Sequence, residues 1–306
     1  MSRPLILALK RLLEAEQRQL GSSELTLAQR RALEEFATRT GSVRQQRQGR
    51  GRIYRVINPA IVEQHLLALA PGLRESLDPD LPRRSRNIAR YRDSKSGQHQ
   101  HDCSYLMLKG TPGACWQRSD GVCCDLAAET ASQGAGVFAL GADIQDDWST
   151  DGELWLLENQ EVFDRLDWLP AGTRASLAWY RGQLENSLIE WLAQRPRASR
   201  LVLFPDYDGV GLHNYLRLRR RLGSQVGFWL MPDWEQKLIR YGDNALWNRT
   251  AADFRTAVEQ LEQQGEPLDP ALHQLIGCMA RYGLALEQEA VFLPSSHVIR
   301  SADSGS

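Results

Sequence analysis

"RLVLFPDYDGVGLHNYLRLRRRLG", residues 200–223, runs an apolar segment into two aspartates, two glycines and an amphipathic stretch ending in arginines. The pattern is that of a buried β-strand, a tight turn and a helix. Its neighbours repeat the unit. "ELWLLEN" (153–159) reads as a strand and "QEVFDRL" (160–166) as a short helix. "ASLAWYRG" (175–182) reads as a strand with "QLENSLIEWLAQR" (183–195) as its helix, and "QVGFWLMPDW" (225–234) supplies a fourth strand. Strand–helix alternation predicts a parallel sheet from about residue 150, followed by helices in "TAADFRTAVEQLEQQ" and "PALHQLIGCMARYG".

Ligands of such sheets gather at the carboxyl ends of the strands. Three acids have that address: Glu158 after "LWLL", and Asp206 and Asp208 after "LVLF". Residues two apart in an extended chain point the same way, so both aspartates can face one pocket, and Gly209 and Gly211 let the chain turn tightly into the helix. An aspartate before a glycine is also a common helix cap, a role that accounts for one acid of the three. Carboxylates held together repel and call for a cation. Mg²⁺ (or Mn²⁺), satisfied by one or two carboxylates plus substrate phosphates, is the expected neutraliser.

The upstream part differs in charge. Residues 1–100 hold 19 Lys/Arg against 10 Asp/Glu, leaving 18 against 28 for residues 101–306. The basic groups are almost all arginine, which suits bidentate phosphate contact. "LILALKRLLEAEQ" places Leu5, Ala8, Leu9, Leu12 and Leu13 on one helical face. A second helix opens at Thr26 with capping-box spacing to Gln29, buries Leu27, Leu33 and Phe36, and stops near Gly41. "SVRQQRQGRGRIYRVIN" reads as two strands about a Gly-Arg-Gly turn, and "NPAIVEQHLLALAP" as a third helix with Pro59 in its first turn. Helix, helix, basic hairpin, helix is the outline of a winged helix. Its hairpin presents Arg44, Arg47, Arg50 and Arg52 to double-stranded DNA. In "LPRRSRNIARYRDSK", Arg83, Arg84, Arg86, Arg90 and Arg92 can follow a phosphate backbone, with Tyr91 available for stacking.

The expected domains are a winged helix over 1–70, a basic linker and small mixed region over 71–148, and a catalytic domain with a helical tail over 149–306. Strand-like "CSYLMLKG" and "GVCCDLA" lie in the middle region. His99, His101 and Cys103 in "HQHDC" suggest zinc, but with no second ligand pair at a recognisable spacing a polar loop is the better reading. The five cysteines lack paired spacing, and no run approaches a membrane span or a signal-peptide core. A cytoplasmic protein without a disulfide framework is expected.

Glutamate at one strand end and Asp-x-Asp at a later one resembles the Toprim domain of topoisomerases, bacterial primases and several nucleases. More narrowly, "LLENQEVF", "SLAWYRGQLENSLIEWL", "PDYDGVGLHNYLRLRR" and "LALEQEAVF", in that order over roughly 153–292, are similar to the Toprim nuclease subunit of Wadjet-type plasmid-defence systems. The resemblance implies an α/β chain with an N-terminal winged helix and a C-terminal Toprim domain, a Rossmann-like parallel sheet. It also implies Mg²⁺-dependent DNA cleavage by Glu158, Asp206 and Asp208, a homodimer, and a partner SMC-like ATPase complex.

Three alternatives stand beside it. The topoisomerase VI A-subunit branch uses a nucleophilic tyrosine, for which Tyr54, with Arg52 and Arg55 to lower its pKa, is the candidate; packing or stacking is its plainer role. A non-catalytic DNA-binding adaptor would keep the fold as a scaffold. "VLFPDYDGVG" also resembles the nucleophile motif of haloacid-dehalogenase-like phosphatases, with Asp206 as acceptor, but Lys237 is the sole downstream lysine and no Asp-Asp pair follows.

Overall fold

The computed structural model describes residues 2–49, 51–95, 103–141, 146–182, 184–263 and 267–295. The chain divides into two compact units, Met1–His101 and Asp102–Ser306. The first contains α1 (Ser2–Glu14), β1 (Gln19–Gly21), α2 (Leu27–Thr40), β2 (Val43–Gln48), β3 (Gly51–Val56), α3 (Pro59–Leu69) and α4 (Arg83–Tyr91). Its antiparallel sheet has the order β1-β3-β2.

The helices form where their caps and apolar faces dictate. Thr26 Oγ1 accepts from Gln29 N at 3.3 Å while Gln29 Oε1 accepts from Thr26 N at 3.0 Å, and Gly41 ends α2 in the left-handed region at φ 63°. Leu5, Ala8, Leu9 and Leu12 of α1 pack with Leu33, Phe36, Tyr54, Val62 and Leu66. Leu27, expected in this core, is exposed. At roughly 100° per residue it stands across α2 from Gln29, Leu33 and Phe36. Beyond Val43 every residue of β2 is exposed, and the register sets Arg44 opposite Arg55 and Arg47 opposite Arg52.

The second unit contains β4 (Cys103–Gly110), β5 (Cys115–Gln117), β6 (Cys123–Asp125), α5 (Leu126–Gln133), β7 (Gly136–Gly141), β8 (Glu153–Leu157), α6 (Gln160–Asp164), β9 (Ala175–Trp179), α7 (Asn186–Ala193), β10 (Arg200–Phe204), α8 (Gly209–Leu222), β11 (Val226–Phe228), α9 (Trp234–Tyr241), α10 (Asn244–Gln263) and α11 (Pro270–Tyr282). A 3₁₀ turn at Gln288–Phe292 follows. The six-stranded sheet has the order β11-β10-β8-β9-β4-β7; β8 to β11 are parallel, and β4 pairs antiparallel with both β9 and β7. The fold is therefore mixed α/β with a mixed sheet. β8, β9 and β10 are almost wholly buried, as parallel strands covered on both faces must be.

The segment expected to be a linker and small mixed region behaves differently. Leu106 and Leu108 of β4 alternate inward, Leu106 opposite Phe138 of β7, a face that must be covered and so joins the main sheet. Cys115 and Cys123 form a disulfide between β5 and β6, a pairing that the cysteine spacing does not suggest. His99 and His101 lie outside the described residues. Among the described residues no helix is long and apolar enough to cross a membrane.

The parallel strands decide where a site can form. From β8 the chain goes to β9 on one side, then crosses to β10 on the other. At that reversal no crossover covers the strand ends, the position where doubly wound sheets bind ligands. The two glycines after β10 do a different job from the expected one. Neither takes positive φ. A Cβ on Gly209 would run into the Thr250 carbonyl of α10, and one on Gly211 into the Asp206 carbonyl. Close approach, not turning, requires them.

Gly209→Ala is expected to destabilise the second unit by about 1–3 kcal/mol through overpacking against α10. All nine tryptophans lie beyond residue 101, so tryptophan fluorescence during urea unfolding reads that unit alone. An unchanged midpoint would show that the α8–α10 contact yields.

Candidate active site

Glu158 follows β8 directly and is buried. Its Oε2 accepts from the Tyr180 hydroxyl at 3.1 Å and from Asp206 N at 3.3 Å. Asp206 follows β10 by two residues; its Oδ1 accepts from Gln288 N at 2.7 Å and from Asn159 Nδ2 at 3.1 Å. Asn159 Nδ2 also donates to Glu289 Oε2 at 2.8 Å. Asp208 is the N-cap of α8, its Oδ1 accepting from Gly211 N at 2.7 Å. The capping role thus belongs to Asp208, and Asp206 is held by other groups.

Burial governs the electrostatics. Desolvation pushes Glu158 up to about 7; the charges of Asp208 and Glu289 add to this, and the hydrogen bonds from Asp206 N and Tyr180 oppose it. Asp206 is pushed up to about 8, by burial first and then by Glu158, Asp208 and Glu289, against the Gln288 N–H. Asp208 is raised by burial, against the Gly211 and Val210 N–H groups, with Asp253 raising and Arg249 lowering it. Tyr180 stays far above its ordinary value because it is buried beside Glu158. The charges bearing on Glu158 and Asp206 are all carboxylates.

The three predicted acids are therefore brought into one electrostatic neighbourhood, in unequal roles. Among the described residues no three His, Cys, Asp or Glu side chains are arranged to hold a metal ion as they stand. Asp208 gives its carboxylate to the helix end, which leaves Glu158 and Asp206 as the nearest donors. Two hard oxygen donors among further carboxylates would suit Mg²⁺ or Mn²⁺, ions that fill their remaining positions with water or phosphate oxygens.

Sequence reasoning missed Asn159, Tyr180, Gln288 and Glu289. The available signal was an acid-flanked glutamine in the otherwise apolar "LALEQEAVF". The expected nucleic-acid side chains lie in the other unit. Arg44, Arg47 and Arg52 are exposed on the β2–β3 hairpin, Arg52 bonded to Glu34 at 3.2 Å; Arg50 lies outside the described residues. Arg83, Arg84, Arg86 and Arg90 lie on α4, where Arg84 donates to Ser94 Oγ at 3.2 Å. Arg52 and Arg55 were expected to lower the pKa of Tyr54. Instead Tyr54 is fully buried, donates to Glu34 Oε1 at 2.7 Å, and is pushed up to about 12 by burial and that bond, which outweigh Arg52 and Arg30.

Residues 142–297 match the family described as a domain of unknown function, DUF7281. The match spans just over half of the chain, which belongs to that family. No curated protein matches the chain.

The raised carboxyls make the metal-free protein pH-sensitive. Folded Glu158 and Asp206 keep protons that the unfolded chain releases near pH 4, so the folded state binds more protons between about 4 and 8. Stability from these groups is full below that window and is lost as pH rises through it. In EDTA the melting temperature is expected to fall between pH 5 and 8, and Asp206→Asn to flatten the fall. Parallel wild-type and variant curves would show that Asp206 ionises as readily folded as unfolded.

Proposed function

We propose that the protein is a Mg²⁺- or Mn²⁺-dependent DNA endonuclease subunit, with a winged helix engaging double-stranded DNA and a Toprim domain hydrolysing the phosphodiester. The observation that carries the reading is the meeting of Glu158, Asp206 and Asp208 at the split between β8 and β10. Glu158 and Asp206 would hold the ion. When bound, it would neutralise phosphate charge and lower the pKa of water. In the alternative to holding the ion, Glu158 stays off it and, pushed up to about 7 and held by Tyr180, serves as general acid or base. Asp208 anchors the start of α8, and its charge adds to the demand for a cation.

The first unit supports the DNA reading. Its order of elements agrees with a winged helix, and its hairpin sets arginines opposite arginines. Like charges directly across a strand pair are unfavourable until an anion lies between them. The resemblance to Wadjet-type subunits adds a homodimer, an SMC-like ATPase complex and plasmid DNA in the cytoplasm to the proposal. The burial of Tyr54 disfavours strand passage through that residue.

Asp206→Ala and Glu158→Gln are expected to abolish Mn²⁺-dependent plasmid nicking while the fold persists, and Tyr54→Phe to retain most of it. Cleavage by both acid variants at the wild-type rate would refute the site, and protein covalently attached to DNA ends would refute hydrolysis. A wild type that binds DNA and never cuts it would make the protein an adaptor.

Neutralising Arg44, Arg47 and Arg52 is expected to weaken DNA binding and flatten its salt dependence by about one log–log unit per lost phosphate contact. An unchanged slope would mark the hairpin as a protein-contact element.

A further inference from the structure

β8 and β10 pair in parallel up to Leu157 and Phe204, then separate. Two backbone groups are left at the point of separation, the Phe204 carbonyl and the Asn159 N–H. The side-chain amide of Gln288 takes both, Nε2 donating to Phe204 O and Oε1 accepting from Asn159 N at 2.9 Å. Gln288 is fully buried. One glutamine amide thus stands in for a peptide group where the sheet splits. Its backbone N–H points at the carboxylate that the split exposes, Asp206 Oδ1, at 2.7 Å.

The turn that carries Gln288 is itself anchored. Tyr207 N and Leu286 O pair at 2.8 Å and Leu286 N and Tyr207 O at 3.1 Å, while Lys237 Nζ donates to Val291 O at 3.2 Å. Asn159 donates its backbone N–H to Gln288 Oε1 and its side-chain amide to Asp206 Oδ1, so both strand ends and the carboxylate form one closed network. The fixed points lie 82 residues apart in the chain.

We infer that Gln288 is a positioning residue for Asp206, bridging the split between β8 and β10 and setting the direction in which the carboxylate presents its second oxygen. The inference rests on Asp206 being a site carboxylate. A buried leucine of similar size would fill the same space yet satisfy neither backbone group. Glutamate would keep the shape, but when ionised it has no hydrogen to give Phe204 O.

The test uses the full chain with Mn²⁺ and nicked-plasmid analysis. For Gln288→Leu and Gln288→Glu, kcat is expected to fall about 10–100-fold and the half-saturating Mn²⁺ concentration to rise, as for other groups that orient metal ligands. KM for DNA should hold. Leu275→Ala, a cavity in α11 away from the network, should lower the melting temperature without changing kcat well below it. Wild-type kcat and Mn²⁺ dependence in both Gln288 variants would overturn the inference and leave the endonuclease reading intact. If the wild type does not cut, that reading fails, and amide exchange decides the geometry. An Asn159 N–H protected in wild type and Asp206→Ala but not in Gln288→Leu supports the bridge; equal protection in all three overturns it.

Discussion

The second unit depends on the parallel pairing of β8 with β10. Parallel neighbours must be joined by crossovers, and here the crossovers leave in opposite directions, one toward β9 and the other toward β11. Nothing in the sheet can cap the strand ends between them. Backbone groups there need partners from elsewhere, and the side chains placed there are polar groups buried or half-buried at the edge of the core. Glu158 and Asp206 occupy those positions, and Gln288 supplies the partners that the ladder cannot.

Burying carboxylates in such a place opposes folding, and the chain moderates the cost with N–H groups. Asp206, Gln288 and Gly211 give backbone hydrogens to the three acids, Asn159 gives an amide hydrogen and Tyr180 a hydroxyl. These bonds favour the ionised forms without removing the mutual repulsion, so Glu158 and Asp206 remain well above ordinary carboxylates. The glycines belong to the same economy of space: Gly211 lets the Asp206 carbonyl pass close to the start of α8, and Gly209 lets α10 press on it.

The first unit shows the complementary imbalance. Its core is closed by Tyr54, whose hydroxyl is taken by Glu34, and Glu34 also receives Arg52 and Gln45. One carboxylate therefore takes Arg52, beside the turn of the hairpin, while Arg44, Arg47 and Arg55 are exposed.

Much of this was legible in the residues. The alternation of apolar runs with amphipathic stretches marked β8 to β11 and their helices, because a strand buried on both faces cannot be polar. The Thr26–Gln29 box and Gly41 bounded α2 because caps act within a single turn. The acids were legible as strand-end residues, since that address follows from local order alone. Local order also misled: Leu27 looked like core because it is apolar, though its helical angle turns it outward. Only the tertiary structure decided that β4 and β7 extend the sheet antiparallel, that Asp208 caps while Asp206 is held by distant groups, and that Gln288 closes the split. These outcomes depend on which segments, tens of residues apart, come to lie beside one strand end, and hydrogen bonds across such distances leave no period in the sequence to read.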